Sequence, residues 1–448
     1  MNSSRHPFRQ SVRPLVGVPS VRPLALPAIL CWAMAQPIAA QRAPVARATP
    51  LEAGIDKLAT HSTLASAFAA LERDNAWTLE QQVALCEIPA PPFKEQARAA
   101  AYARMFRELG VQQVRIDSEG NVIGEIRGVR PGPTLLLEGH LDTVFPEGTN
   151  VKVTRTGTKF DGPGIGDDCR GLAVVLAVAR QVITQKIPFA GRLLVAGNVG
   201  EEGPGNLRGT RAIFASPLKD SINLFISVDG TGYGITNGGV GSNRYRVHYK
   251  GPGGHSYGAF GMPNPMHAMG RAIAKIADLE ASTTPKVTFN VGIVSGGTSV
   301  NSIPFEATMD VDLRSETAAA LAEIDGRLMK ALHAAVAEEK ARWPKSTAAL
   351  SVVIDTIGLR PAGTTPDSSL IVRTSLAAAR TMNIYAPLQI SSTDANVPMA
   401  LGVPAVTLDG GGLGRGAHSL DESYDDRTDG FKGPQYVLLV VMGLLGVK

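Results

Sequence analysis

Cysteine is scarce, with three in 448 residues. Cys31 falls in an N-terminal apolar stretch, so only Cys86 and Cys169 belong to the body of the chain. Two are too few for a disulfide framework, and both read as free thiols in apolar surroundings. Aromatic residues are few, at 5%. Beyond the N-terminal stretch no segment offers roughly 18 uninterrupted apolar residues, so no second membrane span is expected. No phosphate-binding loop appears, and a serine-hydrolase reading lacks support. A strong excess of one charge is missing too. The formal net charge is +4, but six arginines and no acid fall in the first 50 residues, so subtracting those six leaves −2 for the rest. Nothing there points to nucleic acid.

Glycine and proline are plentiful (48 and 30), which implies many tight turns. The length favours two domains with ample core. At the N-terminus, arginines precede the apolar stretch Leu24–Ala35, which runs into small residues up to Ala40. That is the layout of an export signal over residues 1–40, and it implies a periplasmic or secreted protein.

One stretch organises the rest: Leu135–Pro146, LLLEGHLDTVFP. An apolar run ending in polar residues is how a buried parallel strand delivers side chains to its carboxyl end. His140 and Asp142 are two apart and face the same way on an extended chain. A His can bind a metal through one ring nitrogen while a carboxylate orients the other.

The pattern recurs. Asp167 and Asp168 precede the apolar helix Leu172–Thr184, where either can cap or ligate. Arg192–Gly197 is a strand ending near Glu201 and Glu202. Leu224–Val228 ends at Asp229, and Ala405–Leu408 leads through glycines to His418. In open α/β sheets, sites lie outside the carboxyl ends of strands. Helices are expected over Leu51–Ala76, Thr78–Cys86, Lys94–Leu109, Ser368–Thr381 and Pro434–Leu445, and strands over Val111–Ile116 and Val122–Ile126.

Between Ser242 and Gly358 the rhythm changes to βαββαβ: Asn243–Lys250, Pro265–Leu279, Lys286–Val294, Phe305–Arg314, Thr317–Ala341 and Ala349–Thr356. That is the order of a ferredoxin-like sandwich. The expected fold is therefore α/β, a mixed sheet flanked by helices (51–241 and 359–448) with a ferredoxin-like insertion (242–358).

Two histidines and several carboxylates suit zinc, which accepts nitrogen and oxygen ligands. Two such ions, bridged by a carboxylate and a hydroxide, would polarise a carbonyl and generate a nucleophile near neutral pH. A spare carboxylate must then move the water's proton to the leaving amine. Glu201 or Glu202 is the natural supplier.

The chain resembles the dinuclear zinc exopeptidases that include aminoacylase, carboxypeptidase G, peptidase T and succinyl-diaminopimelate desuccinylase. The resemblance runs from about Leu79 to the C-terminus. It rests on GHLDTVFPEG, GPGIGDDCRG, GNVGEEGPGN, SVDG, GPGGHS, GGTSVNSIP and GAHSLDE. It implies a dizinc centre (cobalt or manganese as alternatives), with His140 and Asp229 on one ion, Glu202 and His418 on the other, and Asp167 bridging. Asp142 would orient His140, and Glu201 would be the general base. The insertion resembles a lid and dimerisation domain, implying a homodimer. His255 would then steady the oxyanion in the neighbouring subunit's site. Asn301 and Arg314 resemble substrate-binding lid residues, and Thr393 and Gly411 are taken as pocket residues. The implied substrates are short peptides or N-acyl amino acids. Asp at 229 resembles the aminopeptidases and dipeptidases, whereas HLDTVFPEG resembles carboxypeptidase G. The metal-facing Asp229 puts the aminopeptidase or di- and tripeptidase reading first, the carboxypeptidase or acyl-amino-acid reading second, and a non-catalytic peptide binder last. Cys169-Arg170 stands where many members have Lys-Gly.

Overall fold

The computed structural model describes residues 48–427 and 429–447. The expected export segment lies outside the described residues. Among the described residues, no helix is long and apolar enough to cross a membrane.

A nine-stranded mixed sheet forms the larger layer. Its centre is four parallel strands, in the order Ala190–Asn198, Arg130–His140, Leu224–Val228 and Ala405–Leu408. These are the four apolar runs read from the sequence, and they are buried as parallel strands must be. Because they run the same way, Asn198, His140, Val228 and Leu408 all finish at one rim. On one side the sheet continues antiparallel through Val122–Arg127 and Gln112–Ile116. On the other it continues through Ile235–Gly239, with Gly363–Thr364 and Leu388–Ser391 paired to that strand.

The two faces divide the side chains of Arg130–His140 by parity. Leu135 and Leu137 pack with the helices Cys169–Thr184 and Lys432–Leu445. Leu136 packs on the opposite face, with Leu194 and Phe225. Cys169–Thr184 begins where the sequence allows. The Asp168 carboxylate accepts from the Gly171 amide at 2.9 Å and caps the helix. A Cβ on Gly171 would lie 2.0 Å from the Val228 carbonyl, so glycine lets this helix start against the end of a strand.

Leu51–Ala76 is not one helix. It divides into Pro50–Ala59, Ser62–Arg73 and the start of Asn75–Cys86. At the first break the Thr60 hydroxyl turns back onto the Asp56 and Lys57 carbonyls, a local bond that competes with helix continuation.

The insertion has its own sheet, in the order Ser351–Arg360, Gly241–Lys250, Glu306–Ser315 and Val287–Gly296, with every neighbour antiparallel. This is the expected βαββαβ sandwich. Helices Pro265–Ala277 and Ala318–Arg342 close a separate core around Val247, Tyr249, Met309, Leu328 and Leu332. The strands that open and close the insertion are neighbours, and Arg360 pairs with Ser242 at their base.

A small antiparallel sheet was not foreseen. It joins Thr154–Thr156, Lys159–Asp161, Ser423–Asp425 and Leu413–Arg415. Three-residue strands among glycines are too short to show a hydrophobic period. They tie the loop carrying His418 to the rest of the molecule.

Leu137 is fully buried between the Ala190–Asn198 and Leu224–Val228 strands. Leu137→Ala should cost about 2–5 kcal/mol of stability, measured as a lower urea midpoint with an unchanged slope.

Candidate metal centre

At the rim of the four parallel strands, Asp167 stands between two histidines. Its Oδ1 is 3.0 Å from His140 Nε2, and its Oδ2 is 3.1 Å from His418 Nε2. Asp229 Oδ1 approaches His140 Nε2 from the next strand end at 3.9 Å. Glu202 Oε1 approaches His418 Nε2 at 3.1 Å, yet it is buried and accepts no hydrogen bond. Two donor sets thus share one carboxylate: His140, Asp167 and Asp229 on one side, and His418, Asp167 and Glu202 on the other. Nitrogen and oxygen atoms 3–4 Å apart that converge in this way have the spacing of ligands around a small divalent cation. The residues therefore fit the implied metal pair.

The electrostatics describe the same demand for positive charge. Burial, reinforced by the charge on Asp167, pushes Asp229 up to about 7. Burial works against ionised Asp167, but His140 and His418 hold it below the usual carboxylate range. His418 is raised to about 10 by Asp167 and Glu202. Carboxylates this crowded in low dielectric need cations beside them.

Each member is held by its neighbours. His140 Nδ1 is 3.1 Å from the Asp142 carbonyl oxygen and 3.7 Å from that residue's carboxylate. Asp142 thus meets the imidazole through both its backbone and its carboxylate. Its carboxylate has a second task, accepting from the Glu201 and Glu202 amides at 3.0 and 2.9 Å. It therefore links the first strand end to the second. Asp168 caps its helix and accepts from the His140 amide at 3.0 Å, while Asp167 turns toward the histidines. The adjacent aspartates thus divide their tasks, one capping the helix and the other facing the two histidines.

Glu422 was missed as a site residue. It accepts from the Gly164, Gly166 and Asp167 amides at 2.8, 2.8 and 3.0 Å, clamping the backbone that presents Asp167. Its one sequence signal is its place four residues after His418. Arg170, in the departure Cys169-Arg170, is fully buried. It donates to the Gly410 and Gly430 carbonyls and lies over the Tyr424 ring. Cys169 is buried beside Cys86 in an apolar cluster and takes no part in either donor set.

A cavity of about 490 Å³ opens over the centre, between the sheet rim and the insertion. Asp167, Glu201, Glu202, Asp229, His418, Thr393 and Arg314 line it, as do Arg244 and Arg360, which the sequence reading did not single out. Arg360 ends its lid strand and Arg244 lies near the start of Gly241–Lys250, and one charged residue on a strand gives no periodic signal. One carboxylate, Asp312, braces both Arg244 and Arg314 at 3.0 and 2.8 Å. Arg360 Nη1 is 3.0 Å from Glu201 Oε1.

Three named residues lie elsewhere. His255 and Asn301 are exposed together on the lid, where Asn301 accepts from the Ser256 amide, and neither lines this chain's cavity. Gly254–Gly258 carries a Gly-x-Ser-x-Gly spacing, but it forms an exposed lid turn, not a strand-to-helix elbow. Gly411 is not a cavity residue. It is buried against Gly433, whose Cα would meet a Cβ there at 2.7 Å, and it serves backbone packing.

Paired His and carboxylate groups at strand ends, with the buried Glu201 beside them and an inserted sandwich over them, make a scaffold of the metallopeptidase or amidohydrolase kind. Comparisons with known proteins agree. Residues 237–341 match the peptidase dimerisation domain, and residues 121–247 match peptidase family M28. Carboxypeptidase G2 of Pseudomonas sp. (strain RS-16) is 30% identical over 225 residues, covering 47% of this chain and 52% of that enzyme. Thermostable carboxypeptidase 2 of Saccharolobus solfataricus is 22% identical over 251 residues, covering 53% of this chain and 63% of that protein. The matches thus span between half and two thirds of these relatives. Aminopeptidase PepT from Bacillus cereus ATCC 10987 shares the fold, with a TM-score of 0.67 at 20% identity over 82% of this chain and 98% of that one. Over these partial matches the chain is similar to exopeptidases and deacylases such as carboxypeptidase G2 and succinyl-diaminopimelate desuccinylase.

Purified protein should carry two divalent ions per chain by elemental analysis. Asp167→Asn should lower that to below one, because both donor sets lose their shared oxygens. Retention of both ions would remove Asp167 from the bridging position.

Proposed function

We propose that this protein is a dizinc hydrolase that cuts the amide bond next to a free carboxylate, acting on short peptides or N-acyl amino acids. One observation carries the substrate end: three guanidiniums line the cavity, from Arg244, Arg314 and Arg360. Against the four carboxylates there (Asp167, Glu201, Glu202, Asp229) they leave one negative charge, which two divalent cations would change to three positive. Such a cavity favours an anionic substrate. A substrate held by its amino end would need a carboxylate for its ammonium group. The four carboxylates lining the cavity belong to the donor sets or serve as the base. Asp229 in the donor set still favours the aminopeptidase and di- or tripeptidase reading, which stands second.

His140, Asp167 and Asp229 would hold one ion, and His418, Asp167 and Glu202 the other. When bound, the pair supplies polarisation of the scissile carbonyl and acidification of water. Glu201 is the base. It takes the attacking water's proton and returns it to the departing nitrogen. Burial pushes its carboxyl well above the usual range, which suits a group that must accept and release a proton. Arg314, braced by Asp312, orients the substrate carboxylate. Asp142 keeps Glu201 and Glu202 in register through their amides.

The lid's outer edge strand, Val287–Gly296, exposes Ile293 and Val294. An unpaired apolar edge of this kind supports pairing with a second copy. In such a dimer His255 of one protomer would serve the partner's site as an oxyanion donor. Residues 1–40 would direct export to the periplasm or beyond.

Glu201→Gln should retain both metal ions and lose about 10²–10⁴-fold in kcat. Near-normal turnover would remove Glu201 from the base role. With a library of short peptides, N-blocked members with free carboxyl ends should be cleaved. Cleavage confined to peptides with free amino ends would restore the aminopeptidase reading.

A further inference from the structure

Arg360 is the last residue of the lid's closing strand, and it is 6% exposed. Its Nη1 donates to Glu201 Oε1 at 3.0 Å and to Ser392 Oγ at 3.1 Å. Its Nη2 donates to the Glu201 carbonyl oxygen. Its Nε is buried and has no partner. The guanidinium is thus fastened to the base on one edge, while a buried N–H on the other is unsatisfied. A buried donor without a partner is costly, and in a cavity wall it marks a place for an acceptor that arrives with a ligand.

The contact also bears on the base. A carboxylate oxygen engaged by a guanidinium is held in one rotamer and shares its lone pair with that donor. While the pair stands, Glu201 Oε1 is engaged and the carboxylate is held in one orientation, which leaves only Oε2 to receive a proton from water. An arriving carboxylate offers the guanidinium two oxygens in matching planar geometry, including one for the orphaned Nε, which a single Glu201 oxygen cannot provide.

We propose that Arg360 is a specificity-determining and positioning residue that exchanges partners. It holds Glu201 in the substrate-free protein and leaves it for the carboxylate of an acid substrate, so that both oxygens of the base are free only when such a substrate is seated. This rests on the hydrolase reading above and adds how the site reads its substrate. No bond forms or breaks in the exchange. One ion pair replaces another, and Arg360 keeps its proton throughout. The position of Arg360 suits the task, since it closes the lid strand at its base, opposite Ser242. The charge it senses and the base it restrains are reached from the same planar group.

The test uses full-length, zinc-loaded protein and a pool of N-acetyl-alanyl-X dipeptides, each with a free carboxyl end and again as the C-terminal amide. Wild type should turn over the acids with a kcat at least tenfold above the amides. Arg360→Gln should lower kcat/KM on the acids at least tenfold and raise kcat on the amides severalfold, because the base is no longer restrained. Arg360→Lys keeps the charge and should keep the acid preference. An Arg360→Gln protein that slows acids and amides by the same factor would overturn the exchange and leave a structural arginine. If Arg360→Gln loses zinc or its cooperative melting, the acid-to-amide ratio of Arg360→Lys decides. A ratio near one there overturns the proposal. Wild type inactive on both pools would overturn the hydrolase reading itself, whereas active wild type without the inversion overturns only this inference.

Discussion

Everything at the rim depends on one shared carboxylate. Asp167 meets His140 with one oxygen and His418 with the other, at 3.0 and 3.1 Å. The two histidines come from remote parts of the chain and from different sheets. His140 ends the central strand, while His418 hangs in a loop between two strands of the small sheet. A carboxylate of fixed width sets their separation, so the surroundings of Asp167 must be stiff. Glu422 fixes the backbone before it through three amides, Asp168 caps the helix after it, and Gly171 seats that helix on Val228. The small sheet, which carries no ligand inside a strand, positions the loop holding His418.

The four central strands and their terminal residues were legible because buried parallel strands are apolar throughout and end abruptly in polar residues. The lid was legible because its strands and helices are long enough to show their periods. Leu51–Ala76 misled because alanine and leucine fit a helix through Thr60 and Asp74, where local polar bonds intervene. The small sheet escaped because three residues cannot display alternation. Arg244 and Arg360 escaped for another reason. An arginine on a strand reads as a solvated residue until the fold folds that strand over a cavity. Glu422 escaped because its task is to accept backbone amides, which leaves no pattern of side chains. Asp142 was read as the orienting partner of the His140 ring, and its carboxylate, 3.7 Å from that ring, also accepts from the Glu201 and Glu202 amides. The sequence shows which carboxylates lie near the rim, and only the geometry shows what each accepts.

Over the cavity, the insertion and the main layer are joined by an ion pair between Arg360 and Glu201. Asp312 spends both oxygens on Arg244 and Arg314, so these guanidiniums are held on the lid wall with other donors still available. Arg360 makes the opposite choice and reaches across to Glu201. The cavity therefore holds cationic groups of two kinds, two sharing the Asp312 carboxylate and one bound to Glu201. That division follows from position, since Arg360 stands where the lid strand returns to the main layer.

The two histidines differ in their access to water. The His140 side chain is 1% exposed and that of His418 56%. His140 is closed off by strands on both sides, whereas His418 sits on a loop with a left-handed backbone, at φ +66°, that turns its ring inward from the surface. The centre thus has a sealed inner half and an outer half open to solvent. The more open flank of Asp167 is thus the His418 side, and that asymmetry is built into the sheet and its loop rather than into the lid.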